Sequence, residues 1–171
     1  MPRIGIFYGS TTGNTEEVVN MLAGRLTEHG FEVVIHDIVR QELEDMMHYD
    51  NLILASPTWN MGELQEDWEV VFEEFSRLDF TGKKVAFLGL GDQAGHSETF
   101  LNGIGLLARP VEKNGAEIVG MWPREDYEYE NSEAERGEMF IGLAIDQDSE
   151  EDQTAERLDR WVTMITGQFG Q

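Results

Sequence analysis

The sequence predicts an α/β fold, a five-stranded parallel sheet with helices on both faces, carried by one domain over residues 1–171. Five short apolar runs alternate along the chain with segments of helical period, which is the pattern of repeated strand-helix-strand units. A loop of Gly, Ser and Thr follows the first run directly and leads into a helix. At 171 residues and 40% hydrophobic content the chain is long enough for one full core, and no internal repeat or low-complexity tract divides it.

Residues 4–8, Ile-Gly-Ile-Phe-Tyr, read as a buried first strand. Val18, Leu22 and Leu26 then recur at helical spacing until Gly30 stops them. Residues 31–36 make a second β-rich run and 51–55 a third, with a polar, weakly helical stretch over 41–48 between them. A helix is expected over 65–77, and 84–90, Lys-Val-Ala-Phe-Leu-Gly-Leu, is the fourth strand. In the helix after it Phe100, Ile104, Leu107, Ala108 and Val111 share one face. Residues 116–120 and 139–145 are expected to be two pieces of one last strand. From Asp152 onward a closing helix carries Ala155, Leu158, Trp161, Val162 and Ile165 on its apolar side. Right-handed crossovers between such strands place helices on both faces, and ligands bind beyond the carboxyl ends of the strands.

Composition removes several classes of function. Cysteine is absent, so disulfides, thiolate nucleophiles and iron-sulfur ligation are excluded, and redox chemistry would need a bound cofactor. With 34 acidic and 12 basic residues the net charge is -22. Such a chain repels nucleic acid and anionic lipid over a Debye length of roughly 8 Å, and steers toward basic protein surfaces. No apolar run reaches the roughly 20 residues of a membrane span. The N-terminus has no secretory pattern, which leads us to expect a cytoplasmic protein. His29, His36 and His48 show no ligand spacing and read as surface or boundary residues, and the acids over 63–74 as a solvated helix face.

Three loops carry the chemistry. The first, Gly9-Ser-Thr-Thr-Gly-Asn-Thr15, sets four hydroxyls and two glycines at a helix start, where backbone N–H groups and the helix dipole attract an anion. It has no lysine, so a terminal monophosphate suits it better than a nucleoside triphosphate. An ordinary helix cap is the simpler alternative, but one hydroxyl would serve for that. The second loop, Ser56-Pro-Thr-Trp-Asn-Met-Gly62, sets Trp59 at the ligand edge beside Asn60 and Gly62, residue types that tolerate left-handed turns. The third, Gly89-Leu-Gly-Asp-Gln-Ala-Gly-His96, supplies three glycines, a carboxylate, an amide and an imidazole. Asp92 and Gln93 are either a plain turn or the donors and acceptors for the edge of a pyrimidine-like ring, with Trp59 and His96 as planar groups to sandwich it. A flat, hydrogen-bonding ring attached to a phosphate is the ligand these loops outline together, as in flavin mononucleotide (FMN).

These motifs resemble those of the long-chain flavodoxins over essentially the whole chain. Ser10-x-Thr12-Gly13-x-Thr15 is similar to the phosphate loop of that family, Pro57-Thr-Trp-Asn60 with Gly62-Glu-Leu-Gln65 to its first flavin loop, and Gly91-Asp-Gln-x-Gly95 to its second. The charged, tyrosine-rich stretch 121–137 resembles the insertion that splits the last strand of the long-chain members. The resemblance implies a sheet of order 2-1-3-4-5 and a non-covalent FMN. It implies contacts to FMN from Ser10, Thr11, Thr12, Gly13, Asn14 and Thr15; from Pro57, Thr58, Trp59, Asn60, Met61 and Gly62; and from Leu90, Gly91, Asp92, Gln93, Gly95, His96 and Thr99. Trp59 is then expected to stack on one flavin face and the Asn60-Met61 peptide to face the flavin N5. His96 stands where the family usually has a tyrosine, and imidazole covers less area than a phenol.

The resemblance further implies a low-potential one-electron carrier, cycling between semiquinone and hydroquinone, and no enzyme. A monomer exchanging electrons with basic surfaces of a ferredoxin or flavodoxin reductase, photosystem I, or a pyruvate oxidoreductase or nitrogenase system is expected. Two alternatives stand beside it. An FMN-dependent NAD(P)H:quinone reductase would share the fold, and a receiver-type signalling module would need an aspartate after the third strand, where this chain has Ser56-Pro-Thr.

Overall fold

A computed structural model describes residues 2–10, 13–40, 42–59 and 62–169. Strand β1 (Arg3–Tyr8) leads into α1 (Asn14–Glu28), β2 (Glu32–Asp37) and a short 3-10 helix, Leu43–His48. Then come β3 (Asn51–Trp59), β4 (Glu63–Leu64), α2 (Glu66–Phe75), β5 (Lys84–Leu90) and α3 (Asn102–Lys113). Four short strands follow, β6 (Glu117–Ile118), β7 (Trp122–Pro123), β8 (Glu135–Arg136) and β9 (Met139–Phe140), before β10 (Leu143–Ile145) and α4 (Thr154–Thr166) close the chain.

The main sheet runs β2-β1-β3-β5-β10, with every neighbouring pair parallel. Strand β6 pairs with β5 at Lys84 and Val85, while β10 pairs with it at Leu88, Gly89 and Leu90. The fifth position is therefore one strand in two pieces, and the order 2-1-3-4-5 holds. Build-up runs one way from β1 to β2 and the other way from β3 to β10, so right-handed crossovers put the intervening helices on opposite faces. Helix α1 packs beside α4, and α3 lies on β3 and β5. Central strands β1 and β5 are buried almost throughout, whereas the edge strand β2 is only half-buried.

The second half of the last strand is shorter than its apolar run suggests. Met139 and Phe140 belong to a separate antiparallel sheet, β7-β9-β8, and only Leu143–Ile145 joins the parallel one. The reason is an aromatic extension of the core, where Tyr127, Tyr129 and Phe140 of the excursion between β6 and β10 pack ring against ring with Phe100. The Tyr127 hydroxyl donates to the Ala144 carbonyl at 2.6 Å and accepts from Trp122 Nε1 at 3.0 Å, pinning this core to β10. Burial, with a hydrogen bond to Glu135, pushes the Tyr129 phenol up to about 12. In α4 the apolar side carries Leu158, Trp161, Val162 and Ile165 as expected, but Ala155 is exposed and Thr154 takes the buried place at the first turn. No helix among the described residues is long and apolar enough to cross a membrane.

Candidate functional site

The first loop is shaped by one glycine that cannot carry a side chain and one that must turn the wrong way for other residues. A Cβ on Gly9 would stand 2.2 Å from Gln65 Oε1 and 2.8 Å from Trp68 Cδ1, so the chain leaving β1 is pressed against the start of α2. Gly13 adopts φ 89° at the N-cap of α1, in the left-handed region, and its N–H donates to Ser10 Oγ at 3.1 Å. The first bond of the helix runs from Glu17 N–H to the Gly13 carbonyl at 3.0 Å. Earlier N–H groups of the first turn have no partner inside the helix, which leaves an electropositive end facing out from the loop. Thr15 is buried there.

The second loop leaves β3 with Pro57 and Thr58 still in register with the sheet, Pro57 beside Leu90. Thr58 Oγ1 accepts from Gly103 N–H at 2.8 Å, and a Cβ on Gly103 would lie 2.5 Å from the Pro57 carbonyl oxygen, so the start of α3 is seated on this segment. Strand β4 then turns back on β3, pairing Thr58 with Leu64 and Trp59 with Glu63. Gly62 takes φ 89° at this turn. Gln65 caps α2, its Oε1 accepting from Asp67 N–H at 3.0 Å and Trp68 N–H at 3.3 Å, and Trp68 Nε1 donates to the Ala55 carbonyl at 3.0 Å. The hairpin is fixed at both ends of the turn.

In the third loop Asp92 holds the turn. Its Oδ1 accepts from Gly95 N–H at 2.9 Å, Ala94 N–H at 3.2 Å and the Ser149 hydroxyl at 3.0 Å. The Gly95 bond leads in keeping this carboxyl below the usual range, against partial burial, with Ser149, Ala94 and the His96 ring adding to it. Gly91 N–H donates to the Ile145 carbonyl at 3.0 Å, and His96 N–H to that of Asp92 at 2.8 Å.

These segments meet around a cleft of about 250 Å³. Asn14 and Thr15 line it from the first loop, Pro57 and Thr58 from the second, and Leu90, Gly91, Asp92, His96 and Thr99 from the third. The match to known proteins is equally continuous. The family model for flavodoxin matches residues 6–161. Flavodoxin from Synechococcus elongatus is 40% identical over 172 residues, covering 99% of both chains, and that from Escherichia coli (flavodoxin 1) is 42% identical over 163 residues, covering 95% of this chain and 92% of its own. The chain belongs to the flavodoxin family. Among solved structures, Fusobacterium nucleatum flavodoxin bound to flavin mononucleotide superposes with a TM-score of 0.91 at 33% identity, covering 99% of this chain and all of the other. Location of the cleft beyond the carboxyl ends of β1, β3 and β5 follows the general rule for open α/β sheets, of which flavodoxins are a standard example.

Of the residues expected around a cofactor, those named above as lining the cleft are brought together. Ser10, Gly13 and Gly62 shape the loops that border it, Ser10 Oγ by accepting from Gly13 N–H and the two glycines by their positive φ, and Gly95 is a turn glycine whose Cβ would lie 2.4 Å from Asp92 Oδ2. Thr11, Thr12, Asn60 and Met61 lie outside the described residues, as does the side chain of Trp59. Gln93 is the correction. Its side chain is 7% exposed and turned into the protein, Nε2 donating to Asp146 Oδ2 at 2.9 Å and Glu150 Oε1 at 2.6 Å while Oε1 accepts from Glu128 N–H at 2.8 Å. Both amide N–H groups are thereby taken and Oε1 is turned to the Glu128 backbone, so this side chain braces the loop from inside the protein.

A fourth segment is absent from the sequence reading. Gln147 and Asp148, in the turn after β10, also line the cleft. Partial burial raises the Asp148 carboxyl above its usual range, and the nearby charges of Asp92 and Asp146 add to this while His96 opposes it. The rule that selects loops at the carboxyl ends of strands points to this turn as well, once β10 is placed last in the sheet.

Proposed function

We propose that the chain is a one-electron carrier that holds a single non-covalent FMN in this cleft. The observation that carries the reading is that the N-terminus of α1, which follows a stretch of sequence rich in hydroxyls and has no side-chain cap among the described residues, brings Asn14 and Thr15 to a cleft whose described lining holds no lysine or arginine. The fit is specific at Gly13, where a Cβ would meet nothing within 4 Å, so the glycine serves the φ of 89° and leaves the approach to the helix start clear. Ser10 and Thr15, with Thr11 and Thr12 of the same loop, would hold the phosphate; Pro57, Thr58 and the Trp59–Gly62 turn would hold one side of the ring system; and Leu90, Gly91, Asp92, His96 and Thr99 the other.

Bound FMN supplies one-electron chemistry that the side chains of this protein lack. The chain's own part is to hold the phosphate without a compensating cation and to line the cleft with Asp92 and Asp148, to which the buried Asp146 adds its charge, a field that disfavours added negative charge. That field supports a low potential. Redox proteins with basic surfaces, such as a ferredoxin or flavodoxin reductase, photosystem I, or pyruvate oxidoreductase and nitrogenase systems, are the partners that a net charge of -22 favours. A monomer diffusing in the cytoplasm suits a carrier that visits several of them.

A spectroelectrochemical titration of the FMN-loaded protein tests the reading. Stoichiometric FMN and two separate one-electron waves are expected, with no steady NAD(P)H oxidation until a reductase is added. A single two-electron wave, or turnover of NAD(P)H and quinone by the protein alone, would favour the quinone reductase.

A further inference from the structure

A second depression, of about 390 Å³, lies where the chain leaving β2 passes α2. Ile38 and Leu43, both buried, and the half-buried Val71 line its floor. Val39 and Val70 stand at its lips, 64% and 80% exposed, the two most exposed large apolar side chains among the described residues. Glu42, Asp67 and Glu74 complete the lining, which includes no cation among the described residues.

Neither valine is accounted for by the fold. Helix α2 buries Trp68 and Phe75, and Val70 projects from its other side among the exposed Glu66, Glu69, Glu73 and Glu74. A β-branched residue there is a weaker helix former than the glutamates around it and gains almost nothing from burial. Val39 follows Ile38, whose N–H donates to the Tyr8 carbonyl at 2.9 Å, so it sits just past the carboxyl ends of β1 and β2. That is the end of the sheet that carries the cleft, and α2 itself begins at the second loop.

We propose that this groove is a docking seat for an apolar side chain of a basic redox protein, a leucine or phenylalanine flanked by lysine or arginine. The inference rests on the reading of the chain as an electron carrier. Charge selects the occupant. A second copy of this chain would bring its own Glu42, Asp67 and Glu74 against the same three residues, and an anionic lipid surface is repelled by the same wall, whereas a basic rim meets it with opposite charge. The division of labour follows: long-range charge raises the encounter rate, and the two valines, once covered, slow dissociation.

The test uses 15N-labelled, FMN-loaded protein titrated with a basic ferredoxin–NADP reductase as the probe. Amide shifts at Val39, Leu43, Val70 and Val71 are expected along with those around the cleft. The pair Val39→Asp/Val70→Asp should weaken the complex about five- to twentyfold by loss of apolar contact. Docking by charge alone requires the opposite sign, since that variant is two charges more negative. Val39→Thr/Val70→Thr, equal in size and charge to the wild type, should weaken it severalfold and covers the case in which the aspartate pair does not fold. An unchanged or tighter complex in the folded variants, or shifts confined to the cleft, overturns the seat. So does concentration-dependent dimerisation of the wild type that is lost in the variants while reductase binding is unaltered. Failure of the wild type both to bind the reductase and to accept its electrons overturns the carrier reading and the seat together; wild-type binding that the variants leave intact overturns the seat alone.

Discussion

Gln93 and Asp146 meet through a single oxygen: Asp146 Oδ2 accepts both the backbone N–H of Gln93, at 3.0 Å, and its side-chain Nε2, at 2.9 Å. Asp146 is fully buried, and its Oδ1 accepts from Ser149 N–H at 2.9 Å, so one carboxylate ties the third loop to the turn after β10. Arg157 completes the bracket through Glu150 at 2.8 Å and stacks over Tyr127 at 4.4 Å. Burial works against ionisation of Glu150, and the bonds from Arg157 and Gln93 together outweigh it and lower its range. The third loop is therefore held by the protein before any ligand arrives.

Gln93→Leu should lower stability by about 2–4 kcal/mol, because it strips a donor from each of two carboxylates and leaves Glu128 N–H without its acceptor. Gln93→Glu should be worse at neutral pH and recover on mild acidification, as a third carboxylate is forced beside Asp146 and Glu150 and is relieved by protonation. Urea unfolding at pH 5 and pH 7.5 checks both. A neutral outcome for Gln93→Leu would mean the loop does not depend on this bracket.

The wild type should prefer FMN clearly over riboflavin. Ser10→Ala and Thr15→Ala should each weaken FMN by about 0.5–1.5 kcal/mol, or up to about 3 where the phosphate charge assists, and leave riboflavin almost unchanged. Quenching of flavin fluorescence on titration measures the affinity of each of the three proteins for each flavin. Equal losses for the two flavins would take the phosphate away from the α1 start.

His96 is exposed at the lip of the cleft, with φ −137° at the residue that leads into the short 3-10 helix Ser97–Thr99. His96→Tyr should tighten FMN by about 0.5–1.5 kcal/mol through added ring area, and His96→Ala should loosen it. Identical affinities for all three would show that the imidazole does not cover the cofactor.

Asp148 gives a pH dependence of definite sign. Its folded-state value is raised, chiefly by partial burial and then by Asp92 and Asp146, so the native state holds this proton more tightly than the unfolded chain. Its contribution to stability falls as pH rises from the ordinary aspartate range through the raised one, and stays lower above it. Asp148→Asn should match the wild type in acid and exceed it at neutral pH, by under about 1 kcal/mol because the group is largely solvated. Thermal melts at pH 3.5 and pH 7 would expose the opposite sign.

Asp92 behaves conversely: its lowered value adds stability above the ordinary aspartate range that disappears as pH falls through the depressed one. The two aspartates line the same cleft with opposing slopes.

The parallel sheet is legible in the sequence because strands buried on both faces, such as β1 and β5, must be apolar throughout, and a continuous apolar run is a local signal. The end of the sheet is less so. Residues 139–145 form one apolar run whether they pair in one sheet or two, and the change of partner between Phe140 and Leu143 depends on Trp122 and Tyr127, far back in the chain. Blurring that boundary hides the turn that carries Gln147 and Asp148. The role of Gln93 is equally non-local. Its amide has the same identity toward a ligand or toward Asp146, and only the fold brings residue 146 beside it. The hydroxyl-rich first loop, by contrast, is complete within seven consecutive residues.

The split strand also bears on how such a chain changes over generations. Ile118 and Leu143 lie beside Val85 and Leu88, three residues apart on β5, so the two ends of the excursion are separated by only about 10 Å along one neighbour. For the sheet, a single in-frame deletion closed by two or three residues removes the whole excursion without shifting any register. For the third loop and the start of α3 the same event is several losses at once, because Gln93 Oε1, the Ser97 carbonyl and Asn102 Oδ1 accept from the backbone N–H groups of Glu128, of Glu130 and Asn131, and of Glu133, all within the excursion. Descent with a shortened excursion is thus open to the sheet in one step and open to the cleft only after its third loop has found a new set of partners.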